Sequence, residues 1–122
     1  MQVLILLNHN LTEEQIKDLK NLGITEFINI STEKWGQIPP DLENITQFLE
    51  EYFNALKKNG KRGDYFLIQG DYGATYQLVN FAKDLGLIPI YATTNRVSKE
   101  ILNPDGTISK QNIFKHCRFR KY

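Results

Sequence analysis

Apolar residues in this chain come in short unbroken runs separated by amphipathic stretches, the pattern of buried strands alternating with surface helices. Val3-Leu4-Ile5-Leu6-Leu7 is the first run and Phe27-Ile28-Asn29-Ile30 a shorter second one. Tyr65-Phe66-Leu67-Ile68 and Leu87-Ile88-Pro89-Ile90-Tyr91 follow. Between them lie three helical patterns. Thr12 is the N-cap of the first, with Glu13 and Glu14 in the first turn and Gln15 at the capping-box position; Ile16, Leu19 and Leu22 share one face, and Gly23 ends it. Asp41 opens the second, in which Leu42, Ile45, Leu49, Phe53 and Leu56 recur at helical spacing as far as about Lys58. The third runs from Thr75 to Leu85 and stops at Gly86. Ser31 to Pro40, with Trp35 and Pro39-Pro40, reads as a loop. Pro89 has no N–H for a ladder, which points to an edge strand or a broken ladder at the fourth run.

Beyond Arg96 the pattern changes. Val97–Leu102 and Ser109–Arg120 flank the turn signal Asn103-Pro104-Asp105-Gly106, predicting a C-terminal β-hairpin. Both faces of its second arm are mixed, as expected of a strand partly covered by a partner or ligand. The order β-α-β-α-β-α-β plus hairpin predicts an α/β fold with a mainly parallel sheet. A length of 122 residues makes it a single domain, with a core over 1–96 and the hairpin over 97–122.

Charge and cysteine content narrow the function classes. A net charge of +1 gives no bulk attraction to duplex DNA or to a membrane surface. The first apolar run is far too short for a membrane span and lacks the features of a signal peptide. The single cysteine, Cys117, excludes an internal disulfide and fits a reducing cytoplasm; its alternation with polar neighbours suits a packed thiol better than a nucleophile.

Ligands of open α/β sheets bind beyond the carboxyl ends of the strands. That rim is predicted to carry three polar loops: Asn8-His9-Asn10, Gln69-Gly70-Asp71-Tyr72-Gly73-Ala74-Thr75, and Thr93-Thr94-Asn95-Arg96. The middle loop joins a buried strand to a helix N-terminus, where free N–H groups and the helix dipole favour an anion. Gly70 and Gly73 either admit a ligand to the backbone or serve packing alone. Thr75 either caps its helix or touches ligand, and Asp71 either orients a base or ribose hydroxyl or stabilises the turn.

No metal motif, P-loop lysine, G-x-G-x-x-G fingerprint or serine nucleophile elbow occurs. What remains is a metal-free anion site, which suits a phosphodiester whose own 2′-hydroxyl is the nucleophile. The protein then aligns that hydroxyl, stabilises the charged transition state and exchanges a proton. Arg96 is the candidate phosphate clamp, because a guanidinium binds phosphate oxygens bidentately. His9 on the rim and His116 on the hairpin are candidates for proton transfer, set against purely structural or exposed roles. Lys115, Arg118, Arg120 and Lys121, interleaved with Phe114, Phe119 and Tyr122, read as a solvated tail or a nucleotide-clamping series, with an interface role preferred.

Four segments together, Leu6–Gln15, Gln69–Tyr76, Tyr91–Arg96 and Phe114–Arg120, resemble small stand-alone proteins of type III CRISPR systems, the Csx family numbered twenty. The resemblance spans nearly the whole chain. It implies a Rossmann-like fold related to the CARF domain and a homodimer that binds a cyclic oligoadenylate across its two-fold axis. It further implies ring-nuclease activity without metal or other cofactor, acting chiefly on cyclic tetra-adenylate. The expected products are linear oligoadenylates ending in a 2′,3′-cyclic phosphate, which would switch off the antiviral signal. The alternative is a non-catalytic sponge or sensor for the same ring. Carried over residue by residue, the binding loops match Asn8 to Asn10, Gly70 to Thr75, and Thr93 to Arg96.

Overall fold

In the computed structural model, which describes residues 1–122, the elements are β1 (Gln2–Leu6), α1 (Glu13–Asn21), β2 (Glu26–Asn29), a 3-10 turn (Glu33–Gly36), α2 (Glu50–Asn59), β3 (Tyr65–Ile68), α3 (Tyr72–Asp84), β4 (Ile88–Leu102) and β5 (Ile108–Lys121). One sheet holds all five strands in the order β2-β1-β3-β4-β5. The first four strands are parallel, with Leu4 beside both Ile28 and Phe66, and Phe66 beside Pro89. β5 runs antiparallel to β4 from Ile90↔Lys121 to Leu102↔Ile108. The α/β class, the mainly parallel sheet and the C-terminal hairpin are as the sequence predicts.

Successive residues of a strand face opposite ways, so each apolar run serves two cores. Leu4, Leu6, Phe66 and Ile68 pack with Trp35, Leu56 and Leu78 beneath α2 and α3. Val3, Ile5, Leu7, Leu67 and Ile90 pack with Leu19, Ile24 and Phe119 beneath α1. The first helix forms as expected: the Gln15 N–H donates to Thr12 Oγ1 at 3.2 Å, and Thr12 N–H to Gln15 Oε1 at 3.0 Å. No helix is long and apolar enough to cross a membrane.

Several expectations are corrected. The second helix begins at Glu50, not Asp41. Asn44 Oδ1 accepts the Thr46 N–H at 2.8 Å, a local bond that competes with helical pairing, and residues 45–49 form irregular turns. Ile45 and Leu49 still pack in the core, so their spacing reflected burial and not a helix.

The third helix starts at Tyr72, and its N-cap is Asp71, whose carboxylate accepts the Ala74 N–H at 3.0 Å; Thr75 does not cap it. The loop after β2 contains the 3-10 turn at Glu33–Gly36.

β4 is an interior strand despite Pro89. The Ile88 N–H donates to Asp64 O at 2.8 Å, so by alternation position 89 needs no donor toward β3. On its other side Pro89 contributes only its carbonyl, which accepts the Tyr122 N–H at 3.1 Å.

Thr93-Thr94-Asn95-Arg96 is not a rim loop. β4 runs through it, pairing with Arg118, His116, Lys115 and Phe114, because β5 supplies a partner after β3 has ended. The β4–β5 pairing therefore starts within the sheet, at Ile90.

Candidate functional site

β1 leads to β2 on one side of the sheet, while β3 leads to β4 on the other. The carboxyl ends of β1 and β3 are thus the switch point where open α/β sheets form their ligand crevice. Here a side chain fills it. Trp35, from the 3-10 turn, is 1% exposed, and its Nε1–H donates to Gln69 O at 3.0 Å. A Cβ on Gly70 would stand 2.7 Å from that indole, so the glycine is required by tryptophan packing. Tyr52 meets the indole edge-on at 5.4 Å and shares a 2.6 Å hydrogen bond with Thr32 Oγ1; burial pushes its phenol pKa up. With the crevice plugged, two hollows remain on either side of it.

The first, of about 460 Å³, opens between the N-terminal turns of α3 and the root of the hairpin. Gln69 and Gly70 lie at its base, with Tyr72, Thr75, Tyr76 and Val79 on one wall and Tyr91 and Tyr122 on the other. The rings of Tyr91 and Tyr122 are 4.8 Å apart. By alternation along β3 and β4, Ala92 N–H would pair with Ile68 O, but that rung is replaced by two side chains. Gln69 Oε1 accepts the Ala92 N–H at 3.0 Å, and Tyr122 Oη–H donates to Ile68 O. Burial, with Tyr91 adding, raises the Tyr122 pKa to about 12, keeping it a neutral donor. Arg120 Nη1 donates to Tyr91 Oη at 3.2 Å, its guanidinium 5.7 Å from the ring centre.

Two features of this hollow are unsatisfied. Thr75 Oγ1 is buried and has no hydrogen-bond partner. At the lip, Tyr72 and Tyr76 are 94% and 71% exposed, one helical turn apart on α3. Flat aromatic faces with an unpaired hydroxyl and an amide nearby are suited to a planar heteroaromatic ring.

The second hollow, of about 520 Å³, lies outside β1 and β2 and is lined chiefly by polar residues, including Asn8, His9, Asn10, Ser31 and Glu33. His9 Nδ1 is 3.0 Å from Asn10 O and its ring is exposed.

The three candidate catalytic residues do not converge in this chain. His116 lies on the α1 face of the sheet, where its Nε2 is 2.9 Å from Asp18 Oδ2 and its ring packs 4.8 Å from Phe119. Tyr91, by contrast, faces the α3 side, so the sheet separates His116 from the tyrosine hollow. A shift in the β4–β5 register between Thr93 and Thr94 lets His116 and Phe119 share a face despite their odd spacing. His9 lines the second hollow, and Arg96 is exposed on the hairpin opposite Phe114.

Of the candidate binding residues, Gln69, Gly70, Tyr72 and Thr75 line the tyrosine hollow. The phosphate cradle expected at the turn is taken by the Asp71 carboxylate, which already answers the helix dipole and the Ala74 N–H. Ala74 is buried, and Gly73 lies in the exposed first turn with room around it. Thr93 Oγ1 donates to Arg118 O at 2.9 Å, while Thr94 and Asn95 are exposed. Arg118 borders a third hollow with Leu22 and Tyr65. Tyr76, Val79 and Tyr91 were missed as site residues, and Tyr122 was anticipated only as part of the basic tail. The Tyr72/Tyr76 spacing of four was the one signal in sequence.

No group of three or more His, Cys, Asp or Glu side chains converges in this chain. A family model described as "Uncharacterized protein MJ1673 family" matches residues 1–120. "Uncharacterized protein MJ1673" of Methanocaldococcus jannaschii is 50% identical over 125 residues, covering 99% of this chain and 96% of that protein. No solved structure matches.

Proposed function

This chain belongs to the MJ1673 family, and we propose that it is a cytoplasmic, CARF-like ring nuclease: a homodimer that binds a cyclic oligoadenylate, chiefly cyclic tetra-adenylate, and cleaves it without metal, switching off type III CRISPR signalling. The observation that carries this is the tyrosine-walled hollow at the carboxyl end of β3, with the buried Thr75 hydroxyl unpaired. An adenine offers a flat face for Tyr72 or Tyr76 and ring nitrogens that accept from a hydroxyl. The resemblance in four segments supplies the cyclic adenylate as the specific guest.

Cleavage requires only alignment of chemistry the ring already carries. A 2′-hydroxyl attacks the adjacent phosphorus, the bond to the 5′-oxygen breaks, and the products end in a 2′,3′-cyclic phosphate. Held bases fix the sugar–phosphate geometry, and the cations of the hairpin, Arg96 among them, are the groups available to stabilise the charged transition state. His116 is engaged by Asp18 on the far side of the sheet from the tyrosine hollow, which favours a structural role for it over proton transfer. His9 is the exposed imidazole on the rim, its Nδ1 beside Asn10 O.

A second reading, a binding protein that sequesters the ring uncut, is favoured by one observation: no histidine lines the tyrosine hollow. The two separate in one experiment. The protein is incubated with cyclic tri-, tetra- and hexa-adenylate in excess EDTA and the products are resolved chromatographically. Turnover beyond one ring per dimer supports the nuclease; tight binding with intact ligand supports sequestration. Failure to bind any ring defeats both.

A further inference from the structure

Past Thr94 and His116, the hairpin leaves the body of the protein. From Thr94 to Lys115 every residue is exposed except Asn103, which is half-buried. The arm extends about 30 Å at the strand rise of 3.3 Å per residue, against a radius of gyration of about 13 Å for a 100-residue body. A lone two-stranded ribbon is marginal in water. This one is also apolar: of the chain's twelve exposed large apolar side chains, six lie on it. Val97, directly opposite Ile113, and Ile101 project on the face that continues from the tyrosine hollow. Phe114, Leu102 and Ile108 project on the other, with Phe114 66% and Leu102 76% exposed.

Charge identifies what covers it. The arm carries Arg96, Lys99, Lys110 and Lys115 against Glu100 and Asp105. The segment that leads into the first turn of α2 has the opposite balance: Glu33, Asp41, Glu43, Glu50 and Glu51 against Lys34, all six exposed, with the basic Lys57 and Lys58 confined to the last turn of that helix. Leu42 is exposed in the same segment, and Ile45 and Phe48 are half-buried. Packing arm on arm would bring two cationic ribbons together, whereas arm on flank joins opposite charges and covers apolar surface on both sides.

We infer that the hairpin arm of one subunit docks on the acidic α2 flank of a second copy, and reciprocally, in a two-fold embrace. A reciprocal exchange is isologous and closes at two subunits. The arm also brings Arg96 of one copy to the other copy. Delivery of Arg96 to a bound ring rests on the function proposed above; the embrace itself does not.

Sedimentation velocity on the full chain without ligand, from low to high micromolar concentration, tests the embrace. The expected result is a dimer that weakens with added salt. Ile113→Ser/Phe114→Ser, Lys99→Glu/Lys115→Glu, and Glu43→Lys/Glu50→Lys should each weaken it about tenfold or more. All six positions are exposed, so far-UV circular dichroism should match wild type. Combining the two charge reversals in one chain should restore the dimer. A monomeric wild type overturns the proposal, as does a dimer indifferent to these substitutions or one that the combined reversal fails to rescue. Because no ligand is present, such a failure is distinct from failure of ring binding in the EDTA assay.

Discussion

The indole of Trp35 lies against the backbone of Gly70, so close that a methyl group on the glycine would stand 2.7 Å from the ring. This contact closes the crevice between β1 and β3 and displaces the candidate site to the tyrosine hollow. Gly70→Ala forces Trp35 out of its place and should cost about 1–3 kcal/mol, the usual penalty for overpacking. Urea denaturation measures it, and loss of cyclic adenylate binding should accompany it.

Thr75 separates function from stability. Thr75→Val removes a buried hydroxyl with no partner while keeping the shape of the side chain. Stability should hold or rise by about 1 kcal/mol, since an unsatisfied polar group is lost. Binding of cyclic tetra-adenylate should fall, and Thr75→Ser should retain it. Calorimetric titration of both variants is the check; unchanged affinity in Thr75→Val would remove the hydroxyl from the site.

Tyr122→Phe leaves the Ile68 carbonyl without its donor and should destabilise by about 1–3 kcal/mol. The same phenol predicts a pH dependence. Its folded pKa, about 12, lies above the ordinary tyrosine value of 10.0. The folded state therefore holds the proton more tightly than the unfolded chain, and this contribution is full below pH 10 and lost as pH rises through 12. Denaturation midpoints should decline over that interval in wild type and decline less in Tyr122→Phe. Tyr52, also raised, leaves a residual slope.

Asp18 and His116 fasten the root of the hairpin to α1. His116→Ala should lower stability by roughly 1–3 kcal/mol by stranding a part-buried partner, with single-turnover cleavage of a bound ring unchanged. A large loss of cleavage at unchanged stability would return His116 to the reaction.

Asp71→Ala removes the α3 N-cap at a cost of about 1 kcal/mol. It also frees the helix N-terminus for an anion, so inorganic phosphate should bind there more tightly than in wild type, as read by thermal shift.

The capping box at Thr12 and Gln15 was legible because both partners lie within one turn. The strands were legible because unbroken apolar runs have few other uses. The second helix was misread because Ile45 and Leu49 pack into the core without being helical, and periodicity alone records only burial. Whether Gly70 serves a ligand or packing stayed open in the sequence because its neighbour in space, Trp35, is distant along the chain. The separation of His9, Arg96 and His116 was hidden for a related reason: it depends on which face of the sheet each occupies, and the register shift beside Thr93 changes that parity.

By itself, the sequence determined the order of elements, the two-sided core and the caps of the first helix, all set by local propensity and by the burial of adjacent residues. Tertiary structure decided where a ligand can sit. The plug of Trp35, the tyrosine wall drawn from α3, β4 and the C-terminus, and the arm that β5 holds out by pairing with β4 past the end of β3 all depend on contacts between distant segments. Such contacts leave no periodic trace along the chain.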